Sequence, residues 1–219
     1  MRSEFADRIL EAARSRTESV EISRSGIAVV AHPGVYPTGE LSEVFLECMD
    51  SADIGLKNGE HVLDYGCGTG FLAIAAAKKG AASVLAVDIN PNAVACAQEN
   101  VERHNLQFVV EVKHSNAFDG ISPDRKFDLI LAGMPFEAAP VNDVFERSVY
   151  DPNFEMRRAL FDRAAAQLSE RGRIFTSYSE RVQRKAPLED FDPRYVCEIV
   201  GERVIKGDLN FIFMVCPKR

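Results

Sequence analysis

An apolar run at Val62 and Leu63 meets an acid at Asp64 and then breaks into three alternating glycines, Gly66, Gly68 and Gly70, before a helical pattern over residues 71–79. Such a stretch reads as a strand, a tight turn and a helix start. Alternate glycines let the turn take dihedrals closed to other residues and let a ligand approach the bare backbone, while the helix beyond supplies free N–H groups. A ligand with polar or carboxylate groups is expected there.

The rest of the chain falls into register around this stretch. From residue 60 the pattern alternates, with strands at 61–65, 83–87, 108–113 and 127–131 and helices at 70–79 and 91–104. Strands separated by helical patterns indicate crossover connections and a parallel sheet. Asn90 reads as the N-cap of the second helix, Pro91 occupies the tolerated first position, and Val94, Ala97 and Val101 form its inward stripe. An irregular loop at 133–151 precedes Asp151-Pro152, which opens a helix with inward Met156, Leu160, Ala164 and Leu168 before Gly172. A strand follows at 173–178. The runs 196–204 and 209–216, joined around Lys206-Gly207-Asp208, then predict an antiparallel hairpin.

Upstream of the glycines, Phe5, Ile9, Leu10 and Ala13 are spaced as one face of an opening helix, and two short β-type runs at 20–24 and 27–31 flank Ser25-Gly26. A loop crowded with turn residues, 32–40, leads to a helix bearing Leu41, Val44, Phe45 and Cys48, with Thr38 or Ser42 available as its cap. The expected fold is α/β: a Rossmann-like, mostly parallel sheet with a C-terminal antiparallel hairpin and an N-terminal helix and β-hairpin. At 219 residues with 46% hydrophobic positions, the chain suits one domain, 1–219. Residues 1–58 form the helix, hairpin and lid-like loop, and 59–219 the core.

Charge narrows the partners. Asp and Glu total 33 against 26 Lys and Arg, a net charge of -7, so no overall basic field invites a phosphate backbone and nucleic acid is disfavoured as a partner. The basic cluster at 181–185 reads as a solvated helix face. The five cysteines are odd in number and lack metal-ligand spacing, which predicts a reducing compartment, no metal and core-filling roles. Without a signal-like start or a membrane-length apolar run, a cytoplasmic protein is expected, and a homodimer is left open.

The glycines spell Gly-x-Gly-x-Gly, not the Gly-x-Gly-x-x-Gly of dinucleotide enzymes, and Asp64 before them would repel a pyrophosphate but attract the amino group of a methionine moiety. Asp88 closes the next strand, where its carboxylate can accept two hydrogen bonds from a ribose diol. The ligand read from these residues is a nucleoside bearing an amino acid. Val62 to Gly70 with Asp88 resembles the motifs of class I S-adenosylmethionine-dependent methyltransferases. Pro37-Thr38-Gly39-Glu40, Leu72 to Ala77, Asn90 to Val94 and Glu99-Asn100 are similar to methyltransferases of ribosomal proteins, release-factor glutamine and nucleic-acid bases, without singling out one of these. The resemblance implies S-adenosyl-L-methionine as cofactor. It places Gly66, Cys67, Gly68, Thr69 and Gly70, with Thr38, around the methionine part, Asp64 near its amino group and Asp88 on the ribose. It sets Ile89 over the adenine, Asn116, Ala117 and Phe118 facing it, and Gly133 at the edge of the site.

Ala132-Gly133-Met134-Pro135-Phe136 departs from the Asn-Pro-Pro-Tyr or Asn-Pro-Pro-Phe of relatives that act on planar amides and exocyclic amines. Gly133 has no side chain to orient an acceptor nitrogen, which counts against those acceptors and leaves a small molecule or a peptide side chain. Methyl transfer needs a base only if the acceptor holds its proton, and His32, Tyr36, Glu137 and Glu40 are the candidates. The alternatives are a cofactor-binding, non-catalytic partner subunit, motivated by Gly133, and an RNA methyltransferase.

Overall fold

In a computed structural model that describes residues 2–180 and 192–218, the chain opens with α1 (Glu4–Arg14) and a separate hairpin of β1 (Val20–Arg24) and β2 (Ile27–Ala31). The basic cluster at 181–185 lies outside the described residues. After α2 (Leu41–Asp50) the chain alternates through β3 (His61–Tyr65), α3 (Phe71–Lys78), β4 (Ser83–Asp88), α4 (Pro91–Arg103), β5 (Val110–His114) and β6 (Phe127–Ala132). It ends in α5 (Glu155–Gln167), β7 (Leu168–Ser179), β8 (Tyr195–Ile205) and β9 (Asp208–Pro217).

The described strands of the main sheet run in the order β5-β4-β3-β6-β7-β9-β8, parallel from β5 to β7 and antiparallel beyond. Because the parallel strands all finish at one edge, the residues that follow β3, β4 and β6 collect there, and that edge is where an open α/β sheet receives its ligand. Register makes this concrete: Asp64 lies opposite both Ala86 and Leu131. Alternation sends Val62, Ala86 and Leu131 to a core shared with Phe45, Phe71 and Ile74, and Leu63, Leu85 and Ile130 to a second core under Leu160 and Phe161. No helix among the described residues is long and apolar enough to cross a membrane.

Local signals set the helix starts. The Ser3 hydroxyl accepts from Ala6 N–H to cap α1, and Asn90 accepts from Asn92 N–H to cap α4, with Pro91 next. Neither Thr38 nor Ser42 caps α2, whose N-cap is Glu40 without a side-chain bond; the Thr38 hydroxyl is engaged elsewhere, with Thr69.

Three boundaries differ from the pattern. Asp151-Pro152 does not open a continuous helix, because Asn153 and Phe154 take positive φ of 51° and 57° within a short 3₁₀ turn, Pro152–Phe154, and α5 starts at Glu155. Asp151 still works as a cap at a distance, its carboxylate accepting from Met156 N–H at 2.8 Å and Arg157 N–H at 3.1 Å. Leu168 belongs to the strand, since Phe127 pairs with it across an irregularity that precedes Leu129, so β7 begins well before residue 173. The strand expected at 108–113 starts at Val110; Phe108 and Val109 form a turn closed on Leu106, with Phe108 left in solvent.

One side chain fastens the sheet to the segment before β3. Arg173 of β7 donates to the Ile54 carbonyl at 2.7 Å, to the Gly55 carbonyl, to the Asp128 carbonyl at 3.1 Å and to both Glu60 carboxylate oxygens at 2.9 and 3.0 Å. Removing one partner of a buried ion pair strands the other, so Arg173→Ala is expected to lower stability by roughly 3 kcal/mol in urea unfolding, with Arg173→Lys recovering less than half.

Candidate functional site

The three loop glycines all take positive φ, 79° at Gly66, 55° at Gly68 and 78° at Gly70. That folding turns successive N–H groups inward: Gly66 and Cys67 both donate to the Val87 carbonyl at 2.9 Å, and Gly68 donates to Asp88 Oδ2 at 2.8 Å. Asp88 Oδ1 accepts from Asn90 N–H at 2.8 Å, so this one carboxylate joins the loop to the start of α4. Burial pushes the Asp88 carboxyl up, while the Asn90 and Gly68 amides pull it back down. A Cβ at Gly70 would stand 3.1 Å from the Ala97 Cβ, so this glycine serves the packing of the loop on α4 and does not border the cleft. Around Gly68, by contrast, a Cβ would meet nothing within 4 Å.

Neighbouring segments hold the loop from outside. Asn100 of α4 donates to the Thr69 carbonyl at 2.9 Å and clasps Val30 of β2 through both its N–H and its carbonyl, each at 2.8 Å. The Thr69 and Thr38 hydroxyls are 2.5 Å apart, which brings the 32–40 loop over the glycines. Asn90 Nδ2 adds a bond to the Gly34 carbonyl at 2.9 Å.

Asp64 is 1% exposed and accepts from Ala73 N–H at 3.0 Å. Burial, with the nearby Asp88 carboxylate adding to it, pushes its carboxyl up to about 7 against that bond. Burial likewise lifts the Cys67 thiol well above its ordinary range, which leaves it a filler and not a nucleophile.

These groups open onto a cleft of about 860 Å³. It is bordered by Thr38, Asp64, Gly66, Cys67, Gly68, Thr69, Asp88, Ile89, Asn116, Ala117 and Gly133, so all the expected cofactor residues but Gly70 and Phe118 converge. Phe118 is instead buried against Tyr65, ring centroids 5.3 Å apart. Of the base candidates, Tyr36 and Glu40 reach the cleft, and burial pushes the Tyr36 hydroxyl up to about 12. His32 does not: its ring is bracketed outside by Ser19 Oγ and Glu99 Oε2, each at 2.9 Å. Glu137 is also turned away, its buried carboxylate accepting from Ser3 N–H at 3.2 Å and Ser3 Oγ at 2.5 Å.

Several bordering residues carry no local signal. Phe5 and Ile9 arrive from α1, Ser177 from β7, Lys206 from the β8–β9 turn, and Asp208 and Asn210 from β9. The alternation of Ser177 and Ser179 around Tyr178 at the end of β7 was the hint available for that side. The Ser177 hydroxyl accepts from Met134 N–H at 2.9 Å, fixing the turn after Gly133.

Comparison with known proteins agrees with this geometry. A family model described as the methyltransferase small domain matches residues 26–192. A ribosomal protein L11 methyltransferase of Desulforamulus reducens is 47% identical over 87 residues, 40% of this chain and 28% of that protein. Its counterpart in Thermotoga neapolitana is 38% identical over 120 residues, 55% and 41% of the two chains, so this chain spans less than half the length of the curated L11 methyltransferases it matches. Among solved structures, the Thermus thermophilus 16S rRNA N2 G1207 methyltransferase in complex with AdoMet and guanosine superposes with a TM-score of 0.68 at 20% identity, over 92% of this chain and 50% of that one, a likeness of fold.

The raised carboxyl of Asp64 has a measurable consequence. Its folded value, about 7, exceeds the ordinary 3.8, so the folded state holds this proton more tightly and stability falls as pH rises from about 4 to about 7. Urea unfolding across that window is expected to show the decline, and Asp64→Asn, which mimics the neutral acid, is expected to flatten it.

Proposed function

The chain belongs to the methyltransferase small-domain family, and on that premise we propose that it transfers the methyl group of S-adenosylmethionine to a small molecule or a peptide side chain. The observation that carries this reading is the Gly68–Asp88 arrangement, a bare-backbone loop and an acceptor carboxylate facing one cleft. The residues fit the cofactor. Gly68 and Gly133 leave open space where a side chain would stand, and each Asp88 oxygen, engaged by one N–H, keeps lone-pair capacity for a ribose hydroxyl. Asp64, near the end of β3, holds the amino group of the methionine part, and Ile89 and Asn116 take the adenine.

When bound, S-adenosylmethionine supplies an already activated methyl carbon, so in-line displacement asks the protein chiefly for positioning. The chain's own part is to fix the donor through the glycine loop and to present the acceptor beside Gly133, whose following turn is pinned by Ser177. Among the described residues, carboxylates on the cleft, Glu40, Asp119, Asp151, Glu155 and Asp208 among them, outnumber the cations Arg24, Arg147 and Lys206, which counts against an RNA acceptor.

Gly133 also favours a second reading, a subunit that binds the cofactor and supports another methyltransferase; methyl transfer by the purified chain alone excludes it. The first reading is tested by calorimetric titration with S-adenosylhomocysteine. Binding is expected, with Asp88→Ala weakening it roughly 10- to 100-fold, since bonds to a charged group contribute about 1.5–3 kcal/mol. No binding by folded protein, or none lost in Asp88→Ala, refutes it.

A further inference from the structure

The acceptor end of the cleft is built differently from the donor end, out of side chains and a helix drawn from the far N-terminus. We propose that this end is a roofed chamber for a small, flat nitrogen heterocycle, with Phe5, Ile9, Tyr36 and Phe136 setting that specificity; the inference rests on the methyltransferase reading above. Tyr36 stands two residues before Thr38, whose hydroxyl meets the glycine loop, and Phe136 stands three residues after Gly133. Phe5 of α1 closes on Phe136 with ring centroids 6.5 Å apart at 89°, and Tyr36 meets the same ring at 6.4 Å and 62°. All three rings border the cleft, together with Ile9. Flat aromatic walls match a flat aromatic ligand.

The roof is a constructed part of the fold. Ser3 binds the buried Glu137 carboxylate, Arg2 binds the buried Glu146 carboxylate, and the buried Tyr150 hydroxyl donates to Asp7 at 2.7 Å. Ala6, Leu10 and Ala13 pack in one apolar layer with Ala139, Phe145 and Val149. The buried Glu137 is thus satisfied by the N-cap of α1, and Glu146 shares its bonds between Arg2 and Asn142, so lifting the helix would take partners from both acids, and a bulky macromolecular acceptor would have to do that.

Two observations favour one kind of acceptor atom. Among the described residues no histidine borders the cleft; Asp151 is held by two amides and Glu155 pairs with Arg147 at 3.3 Å, while Glu40, Asp119 and Asp208 also border it. An acceptor with a lone pair already free at neutral pH needs no base. Gly133 offers nothing to orient an exocyclic amine, whereas the lone pair of a pyridine-type ring nitrogen already lies in the ring plane, directed outward. In the step, that lone pair forms the new N–C bond, the S–C bond breaks with its electron pair returning to sulfur, and no proton moves. Positive charge passes from sulfur to the ring, where surrounding aromatic side chains attract it.

Isoquinoline is the probe. The full chain is first titrated with S-adenosylhomocysteine, then the complex with isoquinoline, and transfer from S-adenosylmethionine is followed by mass spectrometry as N-methylisoquinolinium. Isoquinoline binding and methylation are expected, with Phe5→Ala weakening isoquinoline at least about tenfold while S-adenosylhomocysteine affinity holds within about twofold. Ile9→Trp, which fills the chamber, is expected to block isoquinoline and keep S-adenosylhomocysteine. Failure of isoquinoline to bind a chain that binds S-adenosylhomocysteine overturns the proposal, as does binding indifferent to both variants, or faster methylation of a lysine peptide or of bulk tRNA. Isoquinoline bound in the same variant-sensitive way by a chain that ignores S-adenosylhomocysteine would support the chamber and refute the donor reading.

Discussion

The carboxylate of Asp88 accepts from the N–H of Gly68 on one oxygen and from the N–H of Asn90 on the other. Those two bonds couple the loop after β3 to the helix after β4, and the site depends on that coupling. A glycine loop has little conformational preference of its own, because its residues lose the most freedom on folding, so something outside it must hold it. Asp88 does so from one side, and Asn100 does so from the other through the Thr69 carbonyl. The same side chains then tie in the N-terminal hairpin, since Asn100 also clasps Val30 and Asn90 reaches Gly34.

Around α1 the organising groups are buried acids. Burial alone would raise the Glu146 carboxyl, but bonds from Arg2 and from Asn142 outweigh it and hold it down at about 2. Glu137 takes its bonds from Ser3, the residue that also caps α1. One serine therefore starts a helix and satisfies an acid some 134 positions away. The glycine-loop side of the cleft is thus largely built of backbone braced by Asp88, Thr69 and Asn100, and the α1 side is built of side chains.

Much of the architecture was legible in the chain because its signals are local. Alternating strand and helix patterns, Asn90-Pro91 at a helix start and the two C-terminal β runs each depend on neighbours a few positions apart, and each element appears where expected within a few residues. The misses have specific causes. Asp151-Pro152 resembles a helix start, yet Asn153 and Phe154 turn left-handed before α5, so the cap acts across a kink. Gly70 looks identical in sequence to Gly66 and Gly68, but its neighbour is Ala97 and not the cleft. His32 and Glu137 had the right chemistry for a base, and only their partners, Ser19 with Glu99 and Ser3, reveal that both are occupied away from the cleft.

The sequence by itself determined the glycine-loop half of the cleft: the strand-turn-helix with its glycines, the acids before and after it, and the parallel sheet whose edge gathers them. It could do so because those relations are set by dihedral preference, hydrophobic period and the rule that parallel strands end at a common edge. Tertiary structure alone decided the α1 side of the cleft. Phe5, Ile9, Ser177 and Asn210 come together from opposite ends of the chain, through packing of α1 on the 133–151 segment and the antiparallel return of β9 along β7. Contacts across such separations are fixed by side-chain fit and by the need to satisfy buried acids, and neither leaves a periodic trace in the chain.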